Sequence, residues 1–415
     1  MPAAPGNRCT KSAILARWSI SIVLAVSMSA AQARAQNAER ADFRRGIGVA
    51  HVMAWASIEP GSSRSFVFPP FQYPADALAR ELGALRRAGF DFVRLAVDPG
   101  PFLQLRGSRR DYLDRLLLER VQLILSKGLS VIVDFHPSDM HEDYRAEILT
   151  RGADAKPFQD YLDLLSRTAL LLDALHTRRV MLEIMNEPPL PPPAWQPMLE
   201  AAYSAARSRA PQLQLLLDGG DAPLPENTSS LGEFTHDGAA FFSFHYYEPY
   251  QFTHQGAPWM AARYLTDVPY PALARPLLES LEASAAVIAA TDLSAAEKRL
   301  AKLDAREQLE NYHRSSFARD TIANRFARMA DWARDHEIAG NRVILGEFGA
   351  IRTTRSSKIR DVERARWFRD VREEAEARSF GWAAWAYKGS GGFSLVQDEA
   401  SLQLEPAIGE ALGLR

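Results

Sequence analysis

Residues 180–188 read Val-Met-Leu-Glu-Ile-Met-Asn-Glu-Pro, an apolar run that ends in an amide, a carboxylate and a proline. Short runs of this kind are typical of strands that are buried on both faces of a parallel sheet. Seven other runs share its richness in Val, Ile, Leu and Phe: 46–52, 91–97, 130–135, 213–218, 241–245, 342–346 and 381–386. The sequence therefore predicts eight strands, of which residues 180–185 are the fourth.

Amphipathic stretches separate most of these predicted strands. Helical periodicity is found in residues 74–87, 111–127, 157–175, 195–209 and 359–378. Strands that alternate with helices, without a break in composition, predict an α/β fold of the (β/α)8 TIM barrel type. The competing architecture, a doubly wound open sheet, needs a glycine-rich turn after the first strand, and Gly46-Ile47-Gly48 lacks a third glycine at the required spacing.

One connection is much longer than the others. Residues 248–341 separate the sixth and seventh predicted strands, first as an irregular aromatic stretch and then, over 293–336, as helical charged sequence. Long connections in compact domains usually have a function or contain helices of their own. We expect a helical insertion of two or three helices within a single catalytic barrel domain that spans residues 36–415.

The first 35 residues have the features of an export signal. Arg8, Lys11 and Arg17 form a basic segment, residues 18–30 are apolar, and small residues precede a predicted cleavage point after Ala35. A retained membrane anchor is the alternative, but it needs about 20 consecutive apolar residues. The sequence thus predicts a periplasmic or secreted protein.

Composition excludes several classes of protein. The 415-residue chain is 47% hydrophobic and 24% charged, which excludes a disordered or collagen-like chain. The single cysteine, Cys9, lies in the predicted signal, so we expect neither a disulfide nor a cysteine-based metal site after cleavage. Residues 36–415 have a net charge of −6, which does not favour nucleic acid or an anionic membrane as a partner.

Polar and aromatic residues follow the predicted strands. Functional side chains of barrel enzymes lie at the carboxyl ends of the strands. The residues at those positions are Arg94, His136, Asn186, Glu187, His245, Tyr247, Glu347 and Trp385. We therefore expect one pocket that these side chains share.

Two motifs among them carry a family resemblance. Asn186-Glu187-Pro188 and Gly346-Glu347-Phe348-Gly349 resemble the glutamate motifs of glycoside hydrolase family 5, the cellulase-type family, and the match extends over essentially all of residues 36–415. The resemblance implies that Glu187 is the catalytic acid/base and Glu347 the nucleophile. It also implies substrate-site roles for Arg94, His136, Asn186, His245, Tyr247 and Trp385.

The first strand departs from the family pattern. The family often has an asparagine near Gly48, and this chain does not. His51 and Trp55, at and beyond the end of this strand, are candidates to line a sugar subsite. Trp259, in the aromatic stretch 252–259, is a further candidate because an indole can stack on a sugar ring.

Each candidate has a structural alternative. Arg94 could be an internal ion-pair partner, and His136 and His245 could be core histidines with satisfied hydrogen bonds. Trp385 could serve only in packing. A metal site at His136, Asp139 and His141 is disfavoured because the spacing matches no recognised ligand geometry. A serine nucleophile would need a Gly-x-Ser-x-Gly turn, which is absent from the sequence.

The resemblance implies a retaining, endo-acting glycoside hydrolase that cleaves β-linked polysaccharide, with β-1,4-glucan as the first expectation. β-Mannan, β-1,3-glucan and a bacterial exopolysaccharide remain alternatives within the same chemistry. A non-catalytic carbohydrate-binding barrel is the alternative from a different class of function. We expect a monomer that binds a polysaccharide or oligosaccharide, requires no cofactor or metal, and has no nucleic-acid or membrane partner after signal cleavage.

Overall fold

The structure is a computed structural model that describes residues 43–62, 64–221, 224–354, 357–389 and 391–414. The predicted export signal, with Cys9, lies outside the described residues. Within the described part of the chain, no helix has both the length and the apolar character needed to span a membrane.

Eight parallel strands close into a barrel in which each strand pairs with the next in chain order and the first pairs with the last. They are β1 (Arg45–Met53), β2 (Phe92–Val97), β3 (Ser130–Phe135), β4 (Val180–Glu183), β5 (Gln214–Asp218), β6 (Ala240–Tyr246), β7 (Val343–Phe348) and β8 (Gly381–Ala384). The prediction of a (β/α)8 barrel is confirmed, and the doubly wound alternative is excluded because that sheet would be open.

Helices connect the strands. They are α1 (Ala75–Ala88), α2 (Gly100–Gln104), α3 (Ser108–Ser126), α4 (Ala146–Leu149), α5 (Lys156–Asp173), α6 (Pro192–Arg207), α7 (Tyr250–Thr253), α8 (Leu277–Ala289), α9 (Ala295–Ser315), α10 (Arg319–Asp335), α11 (Asp361–Ala377) and α12 (Pro406–Ala411). In α1, the buried residues Leu78, Leu82 and Leu85 recur at helical spacing and form its inner face. Between β5 and β6 the described residues contain only a 3₁₀ turn, Gly232–Phe234.

Four of these helices, α7 to α10, lie between β6 and β7. Phe326 of α10 packs edge-on against Phe244 and Tyr246 of β6, with ring centroids 5.1 and 5.0 Å apart, so α10 serves as a helix of the barrel wall. Helices α8 and α9 pack against each other. Helix α9 begins at a capping box in which the Ser294 hydroxyl and the Glu297 carboxylate accept each other's backbone N–H.

Side chains fill the barrel interior in layers, because alternate residues of a strand face the same side. The lowest layer is apolar and consists of Phe92, Ile132, Met181, Leu216, Ile344 and their neighbours. Two residues further along their strands lie buried polar side chains: Arg94, Asp134, Glu183 and Asp218. This polar layer forms the floor on which the residues at the carboxyl ends of the strands rest.

Candidate active site

The two predicted catalytic glutamates lie close together above the polar layer. Glu347 is in β7, and Glu187 follows β4 by four residues. One carboxylate oxygen of each lies within 4.8 Å of the other and of a ring nitrogen of His245. Glu187 has a φ of 41°, a left-handed conformation that costs a non-glycine residue about 1–3 kcal/mol and that is concentrated at functional sites.

Arg94 is fully buried and is the central cation of the site. Its Nε and Nη2 each donate to one oxygen of Glu183 at 2.7 Å, and Nη2 also donates to Asn186 Oδ1 at 2.7 Å. Its Nη1 donates to Glu347 Oε1 at 2.5 Å. The planar guanidinium therefore fixes Glu347 and Asn186 relative to each other, which a single ammonium nitrogen could not do.

The environments of the two glutamates differ. The second oxygen of Glu347 accepts a hydrogen bond from the Tyr247 hydroxyl at 2.8 Å, so both of its oxygens have fixed donors. Only 6% of the Glu347 side chain is exposed, against 39% for Glu187. Glu347 is thus the immobilised carboxylate, and Glu187 is the one that can meet solvent or a leaving group.

His245 connects the two glutamates. Its Nδ1 lies 2.8 Å from Glu187 Oε1 and 3.8 Å from Glu347 Oε2. Burial lowers the pKa of His245, but the charge of Glu347 and the hydrogen bond with Glu187 outweigh it and raise that pKa to about 9. Burial likewise opposes ionisation of Glu187, yet the hydrogen bond and charge of His245 lower the pKa of Glu187. The charge of each group therefore shifts the pKa of the other.

His136 and Trp385 form one wall of the site. Their rings stack with centroids 5.3 Å apart and planes within 3°. His136 Nδ1 lies 2.9 Å from Asp134 Oδ2. Burial opposes the charged imidazole, but Asp134 outweighs it and raises the pKa of His136. A Cβ at Gly48 would lie only 2.6 Å from the indole, so glycine is needed there for Trp385 to pack across β1.

These residues line an open cleft with a volume of about 610 Å³. Its lining consists of the predicted residues Trp55, His136, Asn186, Glu187, Tyr247, Trp259, Glu347 and Trp385, together with Tyr250, His254, Met260, Gly391 and Phe393. Arg94 and His245 lie beneath this lining, both buried, and reach the cleft through the two glutamates. Trp55 and Trp259 are 43% and 57% exposed, so their indole faces are accessible to a large ligand.

His51 is the one candidate that the structure places in a different set of contacts. Its Nε2 lies 3.0 Å from Glu81 Oε2, and its ring packs edge-on against Tyr73. Glu81 also accepts hydrogen bonds from Tyr73 at 2.7 Å and from Lys388 at 2.9 Å. His51 therefore belongs to a buried cluster that joins β1, α1 and the segment after β8, and it is not among the residues that line the cleft.

Metal-ligand spacing occurs within the site itself. The donor atoms of Glu187, His245 and Glu347 converge, and so do those of Asp134, His136 and Glu347. Most of these atoms already pair with Arg94, Tyr247 or each other. In the triplet considered from the sequence, His141 instead stacks on Phe66 with centroids 4.7 Å apart.

Sequence reasoning missed two members of the polar layer under the site. Glu183 and Asp218 are buried inside the barrel, and burial raises the pKa of both, that of Glu183 to about 8. Their signal was strand alternation, since Met181 and Leu216, two residues earlier, face the same interior. Tyr250 was missed, and His254 was not singled out within the aromatic stretch 252–259, because no strand pattern places residues of an irregular connection.

The strands form a closed parallel barrel, and two glutamates lie close together in an aromatic cleft at the carboxyl ends of β4 and β7. This arrangement is typical of α/β-barrel proteins whose sites suit sugar chemistry. The chain belongs to glycosyl hydrolase family 5, since the model of that family, described as Cellulase (glycosyl hydrolase family 5), matches residues 72–391. This match spans β2 to β8 and contains every cleft-lining residue named above except Trp55 and Phe393.

Curated relatives are distant, and the match covers only part of each of them. Endoglucanase 3 of Fibrobacter succinogenes is 23% identical over 350 residues, which cover 77% of this chain and 47% of that protein. Cellodextrinase A of Ruminococcus flavefaciens is 26% identical over 175 residues, 41% of this chain and 51% of that protein. The chain thus spans about half the length of these relatives.

Solved structures share the fold. Cellulose synthase subunit Z of Clostridioides difficile has a TM-score of 0.61 at 20% identity, covering 89% of this chain and 99% of that one. Cel5A of Thermotoga maritima, in complex with cellobiose, has a TM-score of 0.61 at 18% identity, covering 89% and 97%. At such identity the likeness shows the barrel fold alone.

Proposed function

We propose that this protein is a retaining, endo-acting glycoside hydrolase that cleaves β-1,4-glucan. The observation that carries the proposal is the spacing of Glu187 and Glu347, whose nearest oxygens lie within 4.8 Å in an open cleft. Retaining enzymes hold their carboxyl groups about 5–5.5 Å apart, whereas inverting enzymes need about 6.5–9.5 Å to admit a water between them. The spacing therefore favours retention over inversion.

In the first step, Glu347 attacks the anomeric carbon while the bond to the leaving oxygen breaks. Arg94 and Tyr247 fix both Glu347 oxygens, which leaves the carboxylate no freedom to rotate away from the sugar. Glu187, the more exposed carboxyl, delivers a proton to the leaving oxygen. The products of this step are a glycosyl ester on Glu347 and a released chain with a new hydroxyl.

The proton for that step comes from the Glu187–His245 pair. Because the pKa of His245 is raised to about 9 and that of Glu187 is lowered, the pair holds one transferable proton at neutral pH. Approach of a leaving oxygen to Glu187 draws this proton from the imidazole through the carboxyl to the sugar. In the second step water attacks the anomeric carbon, the ester bond to Glu347 breaks, and the pair takes up the water's proton.

Asn186 is proposed to bind the sugar hydroxyl next to the anomeric carbon. Its Oδ1 accepts from Arg94, which directs the amide nitrogen, a donor, to the remaining partner. A hydrogen bond at that hydroxyl can strengthen as the transition state forms. The mechanism requires no metal or cofactor.

Aromatic faces support a polysaccharide substrate. Trp55, Trp259 and Trp385 all line the cleft, and an indole offers a flat apolar face to a pyranose ring. The openness of the cleft supports endo action, because a chain can pass through it. The names of the relatives, an endoglucanase and a cellodextrinase, support β-1,4-glucan over β-mannan, β-1,3-glucan and other exopolysaccharides.

The experiment is a substrate panel with purified residues 36–415. We expect soluble β-1,4-glucan to be shortened fastest, with a rapid fall in viscosity that marks internal cleavage. Glu187→Gln and Glu347→Gln are each expected to abolish this activity, while Glu310→Gln, at an exposed pair with Arg306 on α9, leaves it unchanged. Cleavage of β-mannan or β-1,3-glucan in preference to β-1,4-glucan would correct the substrate.

A carbohydrate-binding barrel without catalysis predicts a different outcome. It would bind glucan with equal affinity before and after Glu347→Gln, and the wild-type protein would release no reducing ends from any member of the panel. That result would refute the hydrolase proposal.

We also propose that residues 1–35 direct export and that residues 36–415 form the exported catalytic domain. The support is the basic and then apolar N-terminal sequence, followed by small residues. N-terminal sequencing of the protein recovered outside the cytoplasm should begin at Gln36. A protein that retains its first residues in the membrane fraction would instead support an anchor.

A further inference from the structure

A buried group of polar atoms lies directly beneath the Glu187–His245 pair. Asp218 of β5 is the strand partner of Ser243 of β6, and His245 lies two residues beyond Ser243 on the same face. The three residues are 2%, 2% and 3% exposed. One carboxylate oxygen each of Glu183 and Asp218 and one ring nitrogen of His245 lie within 4.8 Å of one another.

Ser243 Oγ faces Asp218 closely enough to oppose the rise in the pKa of Asp218 that burial causes, although the two do not meet at full hydrogen-bond geometry. His245 Nε2 has no hydrogen-bond partner among the described residues, which is rare for a buried polar atom and requires an explanation. Gly346 of β7 contributes to the arrangement. A Cβ there would lie 2.7 Å from Ser243 Oγ and 2.8 Å from His245 Nε2, so glycine preserves the space beside both atoms.

The two ring nitrogens of His245 thus have different environments. Nδ1 contacts Glu187, whereas Nε2 lies beside the space that Gly346 shares with Ser243, the strand partner of Asp218. A neutral imidazole has one N–H, and the partner of one nitrogen decides the role of the other. With the proton on Nε2, Nδ1 can exchange a second proton with Glu187. If Nε2 carries no proton, the single proton of the neutral ring is on Nδ1, which donates it in a hydrogen bond to an ionised Glu187. The pair then has no proton that it can transfer to a leaving group.

We propose that Asp218 is a positioning residue that keeps a proton on Nε2 of His245 and thereby makes the Glu187–His245 pair a proton donor. This proposal rests on the proposed function and deepens it. Asp218 touches no substrate, since it lies in the polar layer and not among the cleft-lining residues. It acts through the imidazole.

Other charges also face His245 and must be taken into account. Glu187 and Glu347 approach Nδ1 from above, Glu183 approaches from β4, and Arg94 opposes the imidazolium from β2. Replacing Asp218 removes one negative charge near a cation, so the proton on His245 is lost at lower pH. A charge within about 4–6 Å shifts a pKa by about 1–3 units, so a shift of roughly 1–2 pH units is expected.

The first test compares pH profiles of kcat/KM on a soluble glucan for the wild type, Asp218→Asn and Asp370→Asn. Asp370 is also a buried aspartate, but it pairs with Tyr270 outside the barrel interior. We expect the alkaline limb of Asp218→Asn to move roughly 1–2 pH units towards acid, while that of Asp370→Asn is unchanged. Asp218→Glu should restore part of the shift.

A profile of Asp218→Asn that superimposes on the wild type would overturn the proposal. So would a uniform loss of activity with an unshifted alkaline limb, because a merely structural role predicts that result.

The second test needs no variant at Asp218 and no activity. Nitrogen NMR of histidine-labelled wild-type protein reports which ring nitrogen is protonated, and a His245→Gln variant assigns the signals among the nine histidines. We expect a proton on Nε2 throughout pH 6–8. A neutral ring with the proton on Nδ1 and a bare Nε2 would overturn the proposal even if Asp218→Asn failed to fold. Absence of hydrolysis by the wild type would instead refute the proposed function and leave this readout intact.

Discussion

Arg94→Lys tests the guanidinium at the centre of the site. The substitution keeps one positive charge but replaces a planar fork with a single nitrogen. Arg94 makes hydrogen bonds from three nitrogens to Glu183, Asn186 and Glu347. A lysine reaches one or two of these partners, so at least two hydrogen bonds to charged groups are lost.

The magnitude follows from those lost contacts. Each hydrogen bond to a charged group contributes about 1.5–3 kcal/mol, so the free energy of unfolding should fall by roughly 3–6 kcal/mol. If the bond to Glu347 is one of those lost, and its full value appears in the transition state, kcat/KM should fall roughly 10- to 150-fold. The measurements are denaturant unfolding followed by tryptophan fluorescence, and steady-state kinetics on soluble glucan.

Arg364→Lys is the matched control. Arg364 is also fully buried and donates to Glu405 at 2.9 Å and to backbone oxygens, but it contacts neither catalytic glutamate. It should lose stability as Arg94→Lys does, with a much smaller loss of kcat/KM. Equal kinetic losses in the two variants, or none in Arg94→Lys, would refute the role given to Arg94.

Three further outcomes are expected. Tyr247→Phe removes the hydroxyl that fixes Glu347 and should lower kcat/KM roughly 10- to 150-fold with little change in unfolding, and unchanged kinetics would contradict this role. Glu81→Gln should lower the free energy of unfolding by about 3 kcal/mol, because it leaves buried partners unpaired. In the wild type, burial raises the pKa of Glu81, but the hydrogen bonds from its partners outweigh burial and lower that pKa to about 2. The difference in unfolding free energy between wild type and variant should therefore be full above about pH 4.5 and vanish towards pH 2 in acid titrations. Trp259→Ala, at an exposed indole, should raise KM for long glucans about fivefold to tenfold without changing the free energy of unfolding. Trp385→Ala, at a residue only 8% exposed, should in addition lower the free energy of unfolding by about 3–5 kcal/mol. Identical effects of the two substitutions would contradict their separate roles.

The barrel could be predicted because its strands have a one-dimensional signal. β3 begins and ends at the predicted residues, and β2 differs by one residue at its start. Runs such as 130–135 are apolar on both faces, which identifies a parallel sheet before any contact is known. Strand ends then place Glu187 and Glu347 at one end of the barrel without further information.

The rest depends on contacts between distant parts of the chain. His51 lies near the end of β1 and His136 directly follows β3, yet only His136 lines the cleft. The difference arises from Glu81, a helix residue whose carboxylate holds His51, and no local pattern shows that pairing. Asp218 ends an apolar strand, a position that is often exposed. Its burial depends on the neighbouring strands of the closed barrel, which the local sequence does not show.

The account depends most directly on Glu347 as the nucleophile of a retaining enzyme. The decisive measurement is inactivation with a fluorinated cellobioside that has an activated leaving group, followed by peptide mass mapping. Fluorine next to the anomeric carbon slows hydrolysis of the glycosyl-enzyme, so the covalent step of a retaining mechanism leaves a stable product. The account predicts one fluorinated cellobiosyl group, which is two sugar residues, on the peptide that contains Glu347, and none in Glu347→Gln. Turnover of glucan without labelling, or a label on any other residue, would contradict it.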